Sequence, residues 1–296
     1  MELRALFGQE PGAFALIDSR LRIEPNRSPF VSMRVDVLHA AGTLEEIITW
    51  VAEEELELDG RTFKVLYLKN GLKRTYEQQR ELERQIGGRI RGKADMRQPD
   101  ITFGLLSLDD GWMFGICRPA DPVWQRHKHK PQNYSTGLTA VVARALVNIA
   151  VPDPHGIRAI DPCCGMGNVL IEALSMDIDI IGRDINPLAV RGARVNLRHF
   201  GYDDADLVAI GDLNDINEAF DAAIVDMPYN LCSVLSASER SLMLASVRRI
   251  SKRAVIVSSE PLESEIEAAG LKIMDSCSVS KGAFVRHVWL TAQQPV

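Results

Sequence analysis

Long apolar runs, paired cysteines and a leader pattern are all missing from this sequence. No stretch approaches the roughly 18 consecutive apolar residues that a membrane-spanning helix needs, and the start, MELRALFGQEPG, has no charged-then-apolar pattern. The 5 cysteines include no CxxC pair, so we expect neither a disulfide framework nor a zinc site. These absences predict a cytoplasmic protein with reduced thiols, without a membrane partner and without a bound metal.

What is present is ordinary globular composition. Hydrophobic residues make up 46% of the 296 residues and charged residues 25%, which excludes disordered and fibrous architectures. At roughly 100–200 residues per domain, the length predicts about two domains.

Positive charge is concentrated in the middle of the chain. Residues 61–150 carry 16 Lys/Arg against 8 Asp/Glu, although the net charge is −6. A solvated helix face explains many such runs, but a basic band interleaved with aromatic residues can also neutralise the phosphates of a nucleic acid. The candidate phosphate contacts are Lys73, Arg74, Arg80, Arg84, Arg89, Arg91, Lys93, Arg126, Lys128 and Lys130. We interpret His127 and His129, in the same basic stretch, as phosphate contacts or plain surface residues.

The pattern predicts an α+β domain over residues 1–118 and a proline-containing linker over residues 119–135. Within the first domain, Phe63–Leu68 has the character of a strand, and Thr75 with Gln78 forms a capping-box pattern at the start of a helix.

Residues 136–296 alternate short apolar runs with helical patterns, which is typical of a parallel sheet covered on both faces. The last two predicted strands, Leu271–Val279 and Ala283–Thr291, are separated by a short turn and predict an antiparallel hairpin. The fold class is therefore α/β, with a Rossmann-like sheet that ends in an antiparallel pair.

Ligands of open α/β sheets bind beyond the carboxyl ends of the strands, and four such ends carry unusual residues. The first is the glycine loop Asp161-Pro162-Cys163-Cys164-Gly165-Met166-Gly167-Asn168. Leu170 stands where a GxGxxG fingerprint needs its third glycine, which disfavours a nicotinamide dinucleotide. The second end carries Asp184, 23 residues after Asp161, where a carboxylate can hold a ribose. The third carries Asp212, whose carboxylate can accept an adenine amino group.

The fourth end reads Asp226-Met227-Pro228-Tyr229 and is the most informative. The Asp226 carboxylate and the Met227 carbonyl can each accept one N–H of an exocyclic amine, while Tyr229 stacks on the base. Pro228 stiffens the turn. Taken alone, the segment is also compatible with a simple strand-to-loop turn.

The series DPCCGMG, GRDINP, GDL and DMPYN resembles class I S-adenosylmethionine-dependent methyltransferases that methylate amino groups. More narrowly, Lys130–Ala150 together with the glycine loop resembles the THUMP-domain-containing RNA guanosine N2-methyltransferases. Phe63–Cys117 is similar to the later part of a THUMP domain, an RNA-binding module. The catalytic motif of that family usually reads Asp-Pro-Pro-Tyr, and Met227 replaces its first proline here.

The resemblance implies a methyl transfer from S-adenosylmethionine to the N2 amine of a guanosine in RNA, with tRNA as the expected partner. It implies Asp226, Met227, Pro228 and Tyr229 as the catalytic set. The implied cofactor-binding residues are Tyr134, Ser135, Thr136, Asp161, Pro162, Cys163, Gly165, Gly167, Asn168, Asp184, Ile185, Asp212, Leu213 and Asp226. Two alternatives stay open: methylation of an adenine N6 amine in RNA or DNA, and an inactive RNA-binding protein with a methyltransferase fold.

Overall fold

The computed structural model describes residues 1–12, 15–134, 137–203, 205–228, 235–281 and 284–293. The chain divides into two compact units. The C-terminal unit comprises Met1–Glu10, Arg27–Pro29 and Pro122–Val296, and the N-terminal unit comprises Pro11–Asn26 and Phe30–Asp121. In the described part of the chain, no helix is both long and apolar enough to span a membrane.

The N-terminal unit is α+β, as the sequence pattern predicts. Its elements are β1 (Met33–Ala41), α2 (Leu44–Glu53), β2 (Phe63–Tyr67), α3 (Tyr76–Gly87), β3 (Ile101–Ser107) and β4 (Trp112–Pro119). The sheet has the order β1-β4-β3-β2, in which only the β2–β3 pair is parallel among the described strands. The Thr75 hydroxyl accepts a hydrogen bond from Gln78 N–H, so the predicted capping box starts α3.

The apolar faces of the two helices and the sheet close a single core in this unit. Ile47 of α2, Ile86 of α3 and Leu105 of β3 are all fully buried there. The rings of Phe103 and Phe114, on neighbouring strands, stack with their centroids 5.3 Å apart. This aromatic pair fixes β3 against β4 from the core side.

The C-terminal unit is a doubly wound α/β sheet. Its helices are α1 (Glu2–Phe7), α4 (Trp124–His127), α5 (Ala140–Ala150), α6 (Asn168–Leu174), α7 (Pro187–His199), α8 (Ala237–Ile250) and α9 (Glu263–Ala268). Its strands are β5 (Arg158–Asp161), β6 (Asp179–Asp184), β7 (Val208–Ile210), β8 (Phe220–Asp226), β9 (Ser251–Ser258), β10 (Leu271–Lys281) and β11 (Phe284–Gln293). Two separate apolar clusters cover the two faces of the sheet.

The described strands of this unit form one sheet in the order β10-β11-β9-β8-β5-β6-β7. Strands β9, β8, β5, β6 and β7 are parallel, and β11 is antiparallel to both of its neighbours. The chain order therefore reverses between β5 and β8, which is the position where open α/β sheets bind ligands. The parallel core and the terminal hairpin follow the sequence expectation.

The division of the chain differs from the predicted one at the N-terminus. The sequence pattern assigns residues 1–118 to one domain, but α1 belongs to the C-terminal unit. Buried Glu2 holds it there, because its carboxylate accepts hydrogen bonds from Asn148 Nδ2 and Ser28 Oγ at 2.7 and 2.8 Å. The predicted linker, residues 119–135, also carries α4, whose Trp124 is buried.

Candidate active site at the carboxyl edge of the sheet

Three carboxylates lie on the same face of the sheet, at the carboxyl ends of neighbouring strands. Asp161 ends β5, Asp184 ends β6 and Asp226 ends β8. In each strand, the apolar residues two or four positions before the aspartate belong to one apolar cluster, and those one or three positions before it belong to the other. Because strand side chains alternate between faces, the three aspartate side chains project from the same face of the sheet. The sequence predicts this grouping, since parallel strands end at one edge.

The glycine loop between β5 and α6 approaches this edge with its backbone. Gly165 and Gly167 have φ values of +52° and +79°, a region that side chains with a Cβ rarely adopt. A Cβ placed on Gly165 would have no atom within 4 Å, so the Cα faces open space. The Gly165 N–H donates a hydrogen bond of 2.8 Å to Asp184 Oδ2, which fixes the loop against β6.

Asp161 is buried and accepts a hydrogen bond of 3.2 Å from Cys163 N–H. Burial raises the pKa of this carboxyl group well above its usual value, and the nearby carboxylates of Asp226 and Asp184 raise it further. Burial likewise raises the pKa of the Cys163 and Cys164 thiols. Both thiols are therefore protonated, and the two cysteines line the site rather than act as nucleophiles.

The Asp226 carboxyl group at the end of β8 has one oxygen in an unusual environment. Its Oδ1 atom is buried and has no hydrogen-bond partner within the ranges that the structure describes. Burial raises the pKa of Asp226 to about 7, and the positive charge of Arg286 opposes that rise. A buried carboxylate oxygen without a partner is costly unless a ligand supplies a donor.

The residues after Asp226 show how this sequence manages without the usual proline. Met227 N–H donates a hydrogen bond of 2.8 Å to Val257 O, which extends the β8–β9 pairing by one residue. The Met227 side chain is buried in the core, while Pro228 is exposed. Tyr229, the predicted stacking residue, lies outside the described residues.

At the other strand ends, the predicted adenosine contacts differ in how much of each residue is available to a ligand. Asp212 Oδ1 accepts a hydrogen bond of 2.8 Å from Asn214 N–H and caps a short 3-10 turn. The Leu213 side chain is buried in the core, so this residue can offer only its backbone to a ligand. Ile185, next to Asp184, is exposed and can cover an apolar ring.

The segment before α5 lies beside the glycine loop. Asn168 Nδ2, at the start of α6, donates to Leu138 O at 2.9 Å, and Gly137 N–H donates to Tyr134 O at 3.2 Å. The Tyr134 side chain is half exposed. Ser135 and Thr136, the other predicted contacts of this segment, are not among the described residues. Pro162 lies buried directly after Asp161.

Asn196 on α7 is a structural partner of this site that sequence reasoning missed. It is fully buried and donates from Nδ2 to Gln132 O and to Met166 O, each at 2.9 Å. Its Oδ1 accepts from Gln132 N–H at 2.8 Å. One asparagine therefore ties the segment before α5 to the glycine loop, over sequence separations that no local motif reveals.

His127 is not the surface residue that the sequence suggests. It is buried, and its Nδ1 lies 2.8 Å from Glu172 Oε1. The other Glu172 oxygen accepts from Arg144 Nη1 at 2.9 Å, and the Arg144 guanidinium lies 5.2 Å from the Trp124 ring centroid. The basic stretch around it is anchored by this buried network, while Arg126 and Lys128 are exposed and Lys130 is half-buried.

In the N-terminal unit, internal partners already engage part of the predicted phosphate-binding band. Arg80 pairs with Glu83, Arg84 with Glu81 and Arg91 with Glu55. The Arg74 Nε atom donates to the Tyr67 hydroxyl at 3.0 Å. Among the described residues of this unit, three exposed members of the band form no ion pair: Lys73, Arg89 and Lys93.

The strand order, the glycine loop and the acidic strand ends define a class I methyltransferase fold. Residues 127–254 match the family model described as UPF0020, RMKL-like, methyltransferase domain. The crystal structure of TrmN from Thermus thermophilus has the same fold, with a TM-score of 0.50 and 17% identity. The alignment covers 94% of this chain and 88% of that one.

Curated relatives share the sequence of this domain. The tRNA (guanine(10)-N2)-dimethyltransferase of Methanothermobacter thermautotrophicus is 33% identical over 55% of this chain and 50% of its own length. The protein of the same name from Methanocaldococcus jannaschii is 26% identical over 70% and 63%. The mouse U6 snRNA (guanine-N(2))-methyltransferase THUMPD2 is 27% identical over 60% and 34%. The chain thus aligns with about half the length of the first of these relatives.

Proposed function

We propose that this protein transfers a methyl group from S-adenosylmethionine to the exocyclic N2 amine of a guanosine in RNA, with tRNA as the substrate. The buried Oδ1 of Asp226, which has no hydrogen-bond partner among the described residues, carries the proposal, because an amine N–H is a donor that this atom can accept. The names of the relatives support the choice of guanine N2 and of RNA.

The residues at the carboxyl edge fit the cofactor. The open space at Gly165 admits the methionine portion close to the backbone. Asp184 keeps free lone pairs for the ribose hydroxyls after accepting from Gly165 N–H and from Asn186 N–H at 2.9 Å. Exposed Ile185 covers one face of the adenine, and Asp212 lies at the next strand end to accept its amino group.

When bound, S-adenosylmethionine supplies an electrophilic methyl group on a sulfonium, which is a good leaving group. The protein therefore has to position the amine and receive its proton. Asp226 and the Met227 carbonyl each accept one N–H, which aims the nitrogen lone pair toward the methyl group. As the nitrogen–carbon bond forms, the nitrogen becomes acidic and Asp226 accepts a proton from it.

The N-terminal unit serves as a THUMP-like RNA-binding domain in this proposal. Lys73, Arg89 and Lys93 are exposed cations without ion pairs in its described residues, which suits contact with phosphates. Guanine N2 lies within a stacked helix, so the base has to flip out unless it is already unpaired, at a cost of about a few kcal/mol. Phosphate contacts and stacking on Tyr229 offset that cost.

The inactive-protein alternative is disfavoured by the Met227 N–H bond to Val257. Loss of the motif's first proline removes a rigid φ angle, but the hydrogen bond holds the same backbone to the sheet. The Met227 carbonyl position is thereby fixed relative to Asp226.

A direct test incubates the purified protein with methyl-labelled S-adenosylmethionine and unmodified tRNA, and then analyses the nucleosides by mass spectrometry. The proposal predicts label in N2-methylguanosine and its loss in the Asp226→Asn variant. Label on adenosine N6 would replace the acceptor, and retained RNA binding without any transfer would favour the inactive-protein alternative.

A further inference from the structure

Arg286 lies at the same edge and on the same face of the sheet as Asp226. Along β11, Val288 and Leu290 belong to the apolar cluster that contains Ile224 of β8, whereas Trp289 belongs to the other. Because strand side chains alternate, Arg286 shares the face of Val288, and Asp226 shares the face of Ile224. The two charged side chains therefore project on one side.

The pairing register places Arg286 two residues beyond Asp226 along the strand direction, toward the carboxyl edge. Asp226 and Val288 both pair with Val257 on β9, so Arg286 stands two residues, about 7 Å, beyond the level of Asp226. Only β9 separates their strands, and two strand spacings amount to about 10 Å. A long arginine side chain can span a large part of this diagonal separation across β9.

The guanidinium of Arg286 is held in place by its surroundings. Its Cζ lies 4.7 Å from the ring centroid of Phe284, the geometry of a cation–π contact. Its Nε atom is buried. An arginine fixed by an aromatic ring presents its charge in a defined place rather than as a mobile surface group.

Among the described residues, the other titratable groups near Asp226 are acidic or neutral. Asp161 faces it from the adjacent strand β5 and Cys163 from the glycine loop, while Asp184 lies one strand further away, on β6. In the described residues, Arg286 is the cation whose charge acts on Asp226. Without it, the Asp226 carboxylate would stand beside the Asp161 carboxyl group, and no cation among the described residues would act on it.

We propose that Arg286 is a positioning residue that keeps Asp226 ionised, so that this carboxylate can accept the N–H of the substrate amine and then its proton. The inference rests on the proposed function for its purpose, but the charge relationship itself is independent of any substrate. Arg286 acts through Asp226 and needs no contact with cofactor or RNA.

The experiment measures the ionisation of Asp226 directly. Protein labelled with ¹³C at the aspartate carboxyl carbons is titrated by NMR, with the Asp226 signal assigned by its loss in Asp226→Asn. In Arg286→Met, the proton affinity of Asp226 should rise at least tenfold over wild type. In Arg286→Lys, which retains the charge, it should stay within about threefold of wild type.

A matched control is Arg158→Met, which removes an exposed arginine from the opposite end of the sheet, where it pairs with Glu218. This variant should leave the Asp226 titration unchanged. If Arg286→Met fails to fold, Arg286→Gln keeps a polar side chain and supports the same comparison. A wild-type titration of Asp226 in either neutral variant would overturn the inference.

Methylation kinetics separate this inference from the proposed function. The acidic limb of the kcat/KM profile should move to higher pH in Arg286→Met by the same amount as the Asp226 titration. If the wild-type protein methylates no RNA, the proposed function fails, while the NMR comparison still decides the role of Arg286.

Discussion

The backbone N–H of Met227 donates a hydrogen bond to the carbonyl oxygen of Val257, one residue beyond the last pair of β8 and β9. A proline at residue 227 could not make this bond, because proline has no N–H. The chain therefore replaces the conformational restriction of a proline with one additional hydrogen bond between β8 and β9. The Met227 side chain, buried in the core, also holds this part of the backbone in place.

Replacing Met227 by proline tests this substitution of one constraint for another. Met227→Pro loses the hydrogen bond and leaves a cavity in the core, so the free energy of unfolding should fall by about 2–5 kcal/mol. Methyl transfer should persist, because the carbonyl remains. Met227→Leu keeps the N–H and most of the volume, and should cost less than about 1.5 kcal/mol. Urea unfolding measures both variants; equal losses would contradict the role of the bond.

Asp184 should matter for cofactor binding in two ways, through the ribose and through the Gly165 N–H. In Asp184→Ala, affinity for S-adenosylhomocysteine should fall by about 10–100-fold, corresponding to two lost charge-assisted hydrogen bonds. Calorimetry measures this directly. Asp215→Ala, which removes an acid of the nearby 3-10 turn, serves as the control and should bind normally. Unchanged affinity in Asp184→Ala would exclude the proposed ribose site.

The raised pKa of Asp226 predicts two pH effects of opposite sign. Methyl transfer needs the ionised carboxylate, so kcat/KM should decline as the pH falls below about 7. Stability behaves inversely, because the folded state holds a proton that the unfolded state releases at lower pH. This stabilising contribution of the Asp226 proton is fully present below the pKa of Asp226 in the unfolded state, near 3.8. It is lost as the pH rises through the folded-state pKa of about 7.

The Asp226→Asn variant shows how much of the pH dependence of stability comes from the Asp226 carboxyl group. Between about pH 4 and pH 7, the variant should lose less stability than wild type, because it has no proton to release at that position. Urea unfolding across this range provides the comparison. Parallel stability curves for both proteins would show that Asp226 titrates normally in the folded state.

Only part of the basic band should contribute to RNA affinity. Replacing Lys73, Arg89 and Lys93 by glutamine should weaken tRNA binding and reduce the slope of log K against log salt by about 1 for each lost phosphate contact. Replacing Arg84, which pairs with Glu81, should have a smaller effect. Filter binding at several salt concentrations distinguishes the two. Equal effects would mean that the internal ion pairs open on binding.

The sequence predicts structural features that depend on neighbouring residues, and misses contacts between residues that are far apart in the chain. Apolar runs that end in Asp161 and Asp226 predict their strands well, since burial and strand ends are local signals. The roles of Asn196, Arg286 and the His127–Glu172 contact depend on partners many residues away. No motif marks such residues, because their function arises only when the sheet brings β11 or α7 beside the site.

The Met227 bond is a similar case. A change from proline to methionine looks like a loss of rigidity in the sequence, because the compensating partner, Val257, lies on another strand. The core packing of the side chain is equally invisible before the two faces of the sheet are assigned.

The central claim is that a methyl donor and a nucleobase amine meet at the carboxyl edge of the seven-stranded sheet, beside Asp226. A crystal structure with bound S-adenosylhomocysteine tests it most directly. We predict the ribose hydroxyls within hydrogen-bond distance of Asp184, and the sulfur atom facing the open side of the Asp226 carboxylate. Binding elsewhere, or an Asp226 side chain turned away from the ligand into the core, would contradict the account.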